Sequence, residues 1–241
     1  MRRARLPLIA AAAVLICQAV IAQISLAPFV GFKSYTLKGA ATSAAGGQIQ
    51  QLGIYDAGKT SFTFGAGIGK QLFKVPGGVY QLDMKLEVSY ASANFIEAGY
   101  NYASGSGKYS ADGNSGGSTS NLGFDLMPVH SFHIPGLSLF SPFGGVGLGL
   151  NYFSTSNINV GPPSSSQVVA INGTSQFKIG LVIFYGAEMN MLGVISPYIQ
   201  FKHYVPFGSE FQFTDDSKYG NFVIKDVPGY FSLAAGIKLS L

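Results

Sequence analysis

The stretch Val79-Tyr80-Gln81-Leu82-Asp83-Met84-Lys85-Leu86-Glu87-Val88-Ser89-Tyr90 decides the reading of this chain. Leu82, Met84, Leu86, Val88 and Tyr90 share one parity, and Gln81, Asp83, Lys85, Glu87 and Ser89 share the other. Successive side chains of an extended strand point to opposite faces, so one face is wholly apolar and the other carries five polar groups in a row. A strand with its apolar face in lipid and its polar face in an enclosed lumen fits that pattern.

Other segments repeat the period of two with glycine on the polar face. In 61–70, Phe62, Phe64, Ala66 and Ile68 alternate with Gly65, Gly67 and Gly69; in 143–153, Val146, Leu148, Leu150 and Tyr152 alternate with Gly145, Gly147, Gly149 and Asn151. Inward glycines leave room for long polar side chains from facing strands and let a tightly curved sheet bend. The run Gly144 to Gly149 is as glycine-dense as a phosphate-binding loop, but such a loop leaves a strand for a helix. Here the alternation continues straight through it.

Eight alternating segments emerge: 24–35, 60–73, 79–90, 121–130, 139–153, 176–189, 196–204 and 229–241. The connections after the first, third, fifth and seventh are long and rich in Gly, Ser, Asn and Asp, with 105–119 the extreme case; those after the second, fourth and sixth are short, with Pro76-Gly77-Gly78, Pro135-Gly136 and Gly193. Long loops at one end, short turns at the other and an even strand number predict an all-β, eight-stranded antiparallel transmembrane β-barrel, an up-and-down meander. Two further alternating pieces, 210–214 and 221–225, are too short to span and read as an extracellular hairpin; counting them as wall would give ten strands. A soluble secreted β-sandwich is the competing fold, since alternation alone does not say which face is wet.

Composition narrows the classes. The chain has 241 residues, 47% hydrophobic and only 11% charged, with 32 Gly, 13 Tyr and 19 Phe; a soluble domain carries roughly 25% charged residues. After the first two dozen residues there is no apolar run of about 18 that would make a spanning helix. All three arginines, Arg2, Arg3 and Arg5, precede the apolar stretch 6–22, and Val20-Ile21-Ala22 offers a small residue before Gln23. These are the parts of a signal peptide over 1–22, followed by a barrel domain over 23–241. Without the leader the chain carries 12 Lys and no Arg against 11 acids, so the basic balance is no argument for nucleic acid. Cys17 follows Ile16 where lipoprotein processing wants a small residue, so it reads as a filler of the leader, leaving the exported chain without a thiol.

The run Ser141-Pro142-Phe143-Gly144-Gly145-Val146-Gly147-Leu148-Gly149 resembles the Pro-aromatic-Gly-rich fifth strand of the eight-stranded outer-membrane barrels of the OmpA/OmpX type. Tyr185-Gly186-Ala187-Glu188 resembles the Gly-x-Glu of their sixth, and Gly236, Leu239 and Leu241 resemble the terminal strand read by the barrel-assembly machinery, with Leu in place of the usual final Phe. The resemblance covers essentially all of 23–241. It implies location in the bacterial outer membrane, lipid and the assembly machinery as partners, and a monomer. No peptidoglycan-binding domain is expected beyond the last strand.

By alternation, Asp83, Lys85, Glu87, Asp125, Lys178, Glu188, Lys202 and Lys238 face inward, four acids with four bases. Buried charges must be paired, so an ion-pair network plugging the lumen is expected; a narrow polar pore or binding barrel for small solutes is the competing use. Some barrels of this size act on lipid in the outer leaflet, and the lipid A deacylase family uses a His-x-Ser pair with a downstream Glu. Here His203-Tyr204-Val205 puts Val where the nucleophile needs an oxygen, with Glu210 following in a loop. His130 and His133 at a turn lack a third ligand for a metal. No catalytic residue, cofactor or metal site is therefore expected. Tyr35, Tyr90, Phe124, Tyr152, Tyr185, Tyr204 and Phe231 read as lipid-facing or interfacial girdle residues. Function is then expected in the exposed loops, as surface interaction or envelope integrity without catalysis. Tyr100, Asn101, Tyr102, Lys108, Tyr109 and Asp112 offer a polar, aromatic surface there, although Gly- and Ser-rich loops are commonly just solvated.

Overall fold

The computed structural model describes residues 23–36, 39–42, 49–54, 60–95, 97–102, 105–110, 117–134, 139–160, 169–171, 173–189, 194–208 and 229–241. Its strands are β1 (Ile24–Thr36), β2 (Gly39–Thr42), β3 (Ile49–Ile54), β4 (Thr60–Lys74), β5 (Tyr80–Phe95), β6 (Glu97–Tyr102), β7 (Gly105–Ser110), β8 (Gly117–Phe132), β9 (Phe140–Thr155), β10 (Ile158–Val160), β11 (Val169–Ile171), β12 (Ser175–Met189), β13 (Ile195–Pro206) and β14 (Gly229–Ser240). Eight of them close into a barrel in the order β1-β14-β13-β12-β9-β8-β5-β4. β1 pairs antiparallel with both β14 and β4, so the wall has no edge and no place for a ninth or tenth strand. Every barrel strand lies beside the next one along the chain, which is the up-and-down meander. The leader 1–22 and the pieces 210–214 and 221–225 lie outside the described residues.

The period of two sorts the side chains. Val30, Phe32, Phe64, Ile68, Leu126, Val146, Leu148, Ile179 and Ile199 are exposed on the outer wall, while Lys33, Asp83, Glu87, Asp125, Asn151 and Lys202 are buried inside it. A water-soluble sandwich would have the opposite arrangement. The outer wall is a lipid-facing belt.

Three local features adjust this pattern. The β4–β5 register shifts between Gln71 and Phe73; the extra residue of the bulge turns both Leu72 and Phe73 outward, where they are exposed. Pairing of β8 with β9 stops after Leu126↔Leu148 and resumes at His130↔Gly144 in the same register, whereas β8 stays paired with β5 through Met84↔Pro128. Pro128 has no N–H to give β9. Pro28 interrupts β1–β14 in the same way while β1 keeps Pro28↔Ala66 with β4. The turn between β4 and β5 closes on Gly77 and Gly78 at φ 88° and 74°, values that residues with a Cβ rarely adopt.

The inward glycines hold rings as well as chains. Phe29 faces Gly65, Phe143 faces Gly186, Phe184 faces Gly145 and Tyr198 faces Gly236 as direct cross-strand pairs. A Cβ at Gly186 would come within 2.6 Å of the Phe143 ring, and one at Gly236 within 2.6 Å of Tyr198. Each ring lies over the bare backbone of its neighbour, the pairing that aromatic residues make with strand glycines. At Gly67 a long polar chain, that of Lys85, takes the space instead.

The first three long connections carry strands of their own. β2, β3, β6 and β7 form a four-stranded sheet in the order β2-β3-β6-β7, and β10 pairs with β11. Strands from the first long connection thus pair with strands from the second, through Ile49↔Tyr102 to Ile54↔Ala98.

A charge placed on the lipid belt measures whether the wall lies in a bilayer. Val146→Lys is expected to lower unfolding stability by about 2–4 kcal/mol in urea titrations of the protein folded into vesicles. An effect of a few tenths would mean that Val146 faces water.

Candidate functional site

The lumen is the part of the molecule where chemistry could reside, and its side chains form three levels. At the centre, Lys202 of β13 reaches Glu87 of β5 and lies 2.6 Å from Asp125 Oδ2 of β8. In the closed strand order β13 and β5 stand opposite one another, so this ammonium group ties the two sides of the barrel across its full width. Glu87 also accepts from Lys85 Nζ at 2.8 Å and from Gln200 Nε2 at 3.4 Å. Glu87 and Asp125 are 1% and 0% exposed. A carboxylate so far from water persists as an ion only with such partners.

Beside this cluster lies Lys33, fully enclosed. Its ammonium donates to Asn121 Oδ1 at 2.7 Å and to Ser89 Oγ at 3.4 Å, and Asn121 Nδ2 passes the chain on to Asn151 Oδ1 at 2.9 Å. The face of Tyr230 covers Lys33 Nζ at 4.2 Å from the ring centre, a cation–π contact.

Toward the loop end the lumen is stopped by four rings. Tyr35, Tyr230 and Tyr204 form a continuous row across β1, β14 and β13 as register partners, and Phe153 comes from β9. Tyr204 and Tyr230 stack at 5.1 Å; Tyr35 meets Tyr230 at 6.0 Å and Phe153 at 6.5 Å, and Phe153 meets Tyr204 at 6.4 Å. β1 and β9 are also opposite strands. All four rings are at most 3% exposed, and Tyr204 anchors the layer by donating to the Lys178 carbonyl at 2.8 Å.

Toward the turn end the lumen is looser. Lys238 Nζ lies 3.1 Å from Glu188 and 3.6 Å from Asp83, and Asp83 also accepts from the Gln81 amide at 2.8 and 3.0 Å. A cavity of about 40 Å³ between Asp83, Glu188, Lys238, Phe143, Tyr198 and Gln200 has room for roughly three water molecules. The barrel is thus closed by rings at the loop end and partly open at the turn end.

All eight charges read from the sequence lie on the inward face, but they do not make one network. Lys85, Glu87, Asp125 and Lys202 form the central cluster; Asp83, Glu188 and Lys238 form the mouth cluster; Lys178 is buried higher in the wall. The sequence reading misses Lys33. Its parity with Gly31 and Tyr35 is the available signal, obscured because that face of β1 also carries Phe29. Two girdle assignments are corrected: Tyr35 and Tyr204 are each 2% exposed and point into the lumen. Their parity with Lys33 and Lys202 requires this. Tyr90, Phe124 and Tyr185 are exposed on the outer wall as expected, with Tyr152 and Phe231 half-buried.

The remaining candidates are separated. His203 is exposed on the outer wall with its ring 4.8 Å from Phe231, and Val205 faces outward beside it. Glu210 and Asp112 lie outside the described residues. His130 Nδ1 shares a 2.8 Å hydrogen bond with the Tyr80 hydroxyl. Among the described residues no group of three His, Cys, Asp or Glu could hold a metal ion. Tyr100, Asn101, Tyr102, Lys108 and Tyr109 fall on β6 and β7.

No family model matches the sequence, and no curated protein is similar to it. Solved structures are. A major outer membrane protein of Thermus thermophilus is similar at 12% identity, over 92% of this chain and 100% of that one, with a TM-score of 0.54. The outer membrane protease OmpT of Escherichia coli matches at 12% identity, over 91% and 97%, with a TM-score of 0.50. Neisserial surface protein A matches at 14% identity, over 91% and 97%, with a TM-score of 0.43. What the chain shares with the first two is the fold, a closed antiparallel barrel of the outer-membrane type, with eight strands in the present case.

Removing the central cation should leave the buried Asp125 without its lysine and Glu87 with Lys85 alone. Lys202→Met is expected to cost about 3–5 kcal/mol of unfolding stability in lipid or micelles, and a loss below about 1 kcal/mol would mean that water reaches Glu87 and Asp125.

Proposed function

We propose that the protein is a non-conducting, non-catalytic anchor of the outer membrane that acts through its long connections on the cell surface. The observation that carries this reading is the closure of the lumen by Tyr35, Phe153, Tyr204 and Tyr230 above the Lys202 cluster. A pore needs a continuous wet path, and here opposite walls touch at two successive levels. A catalytic role finds no support in the charged groups: the central carboxylates are spent on lysines inside the wall, and His203 stands on the lipid side with its ring against Phe231.

The reading assigns the loop end to the exterior and the short turns to the periplasm, with the leader 1–22 removed on export. The paired strands of the first two long connections then give the exposed part a hydrogen-bonded frame, which suits adhesion, surface protection or envelope integrity better than free loops do. Lipid and the assembly machinery are the partners required in the cell, and a monomer suffices.

Planar bilayers loaded with the purified protein test the reading. No single-channel steps are expected. Steps that change with Glu87→Gln or Tyr204→Ala would overturn it in favour of solute passage. In cells, replacing 97–110 by a Gly-Ser linker should abolish surface attachment or serum survival conferred by the protein while leaving the barrel in the membrane.

A further inference from the structure

The start of β1 carries chemistry that the barrel itself does not use. Gln23 is exposed at the turn end, and its carbonyl accepts from the Gln71 N–H at 3.1 Å. The carboxamide of Gln23 has no hydrogen-bond partner among the described residues, while the backbone carbonyl is held. If export cuts after Ala22, as the leader motif implies, Gln23 becomes the first residue and carries a free α-amine beside its own side-chain amide. That amine reaches the Cδ carbonyl through a five-membered ring, the size that closes most readily.

The surroundings favour closure. Gln23 lines an open recess together with Gln71, Lys74 and the turn 75–78. The only charged side chain in this lining is Lys74, and the end of β14 lies alongside, the Leu241 N–H donating to the Ile24 carbonyl at 2.8 Å. The carboxylates of the neighbouring mouth, Asp83 and Glu188, already share Lys238, and Asp83 accepts from Gln81 as well. Next along the strand, Ile24 is exposed on the lipid side, so an ammonium one residue away stands at the edge of the lipid belt. Losing that charge removes the cost of holding it there.

We propose that the mature chain begins with pyroglutamate at position 23. The α-nitrogen attacks the Gln23 Cδ carbonyl, the new N–Cδ bond closes the lactam, and the side-chain nitrogen leaves as ammonia with the proton released from the amine. Nothing is oxidised or reduced. The product is a neutral lactam whose residue carbonyl still accepts from Gln71, so the end of β1 keeps its hydrogen bond and gains a terminus that aminopeptidases do not open. The proposal rests on the export reading.

Mass spectrometry of the amino-terminal peptide, from protein taken out of fresh outer membranes, tests it. Free amines are blocked by reductive dimethylation before digestion, and a synthetic peptide beginning with Gln23 is carried through the same handling to measure cyclisation during work-up. The expected result is a peptide starting at position 23, lighter by one ammonia and undimethylated, in an excess of at least about tenfold over the handled synthetic control. A dimethylated peptide starting at Gln23 would overturn the lactam and leave the cleavage site standing. A peptide starting at any other residue would overturn both. The variant Gln23→Ala, which cannot cyclise, should carry the dimethyl label throughout.

Discussion

The centre of this barrel is arranged around the ammonium group of Lys202, held between Glu87 and Asp125 in the middle of the lumen. A single lysine there joins β13 to the opposite strand β5 and to β8. Two buried carboxylates would repel each other and refuse to leave water; with Lys202 between them and Lys85 on Glu87 they form a compact set of charge-assisted hydrogen bonds. Because the partners come from opposite sides of the wall, the same contacts that satisfy the charges also close the interior. Gln200 completes the cluster by donating to Glu87 and accepting from Lys85 at 3.3 Å.

The wall must then be thin enough for those side chains to meet. Closing only eight strands brings opposite walls within reach of filled side chains, and the inward glycines of β4, β9, β12 and β14 clear the space that remains. Phe29, Phe143, Phe184 and Tyr198 lie over them. The tyrosine row of β1, β14 and β13 covers the polar centre on the loop side, with Tyr230 serving both as part of that stopper and as the aromatic face over Lys33. Outside, the parity that buries these groups turns valines, leucines and phenylalanines toward lipid. One alternation thus fixes both the solvent of the outer face and the content of the inner one.

This is why so much is legible in the sequence. The alternation through 79–90 and the repeated long-short spacing of connections locate all eight barrel strands to within a few residues, and the inward parity of Asp83, Glu87, Asp125, Glu188 and the four lysines follows from it. What is lost comes from weighting residue type over parity. Tyr35 and Tyr204 read as girdle residues because tyrosine favours interfaces, although each sits two positions from an inward lysine. Lys33 escapes notice because the face of β1 that bears it is mixed. The division of the charges into a central and a mouth cluster depends on strand tilt and on which strands stand opposite, which no single strand records. The sheet made by β2, β3, β6 and β7 is invisible for another reason: its strands are short, rich in glycine and small polar residues, and paired across two different connections.

Lys202 is an ion-pair partner buried between two carboxylates. The most direct test of that burial is the side-chain ammonium signal of Lys202 in nitrogen-proton spectra of the protein in lipid nanodiscs near neutral pH, assigned by its loss in Lys202→Met. Exposed lysine ammonium protons exchange with water too fast to be seen under those conditions. A resolved, slowly exchanging Lys202 signal is the result this account requires; a Lys202 signal averaged with water, like those of Lys70 and Lys74 on the exposed part of β4, would contradict it.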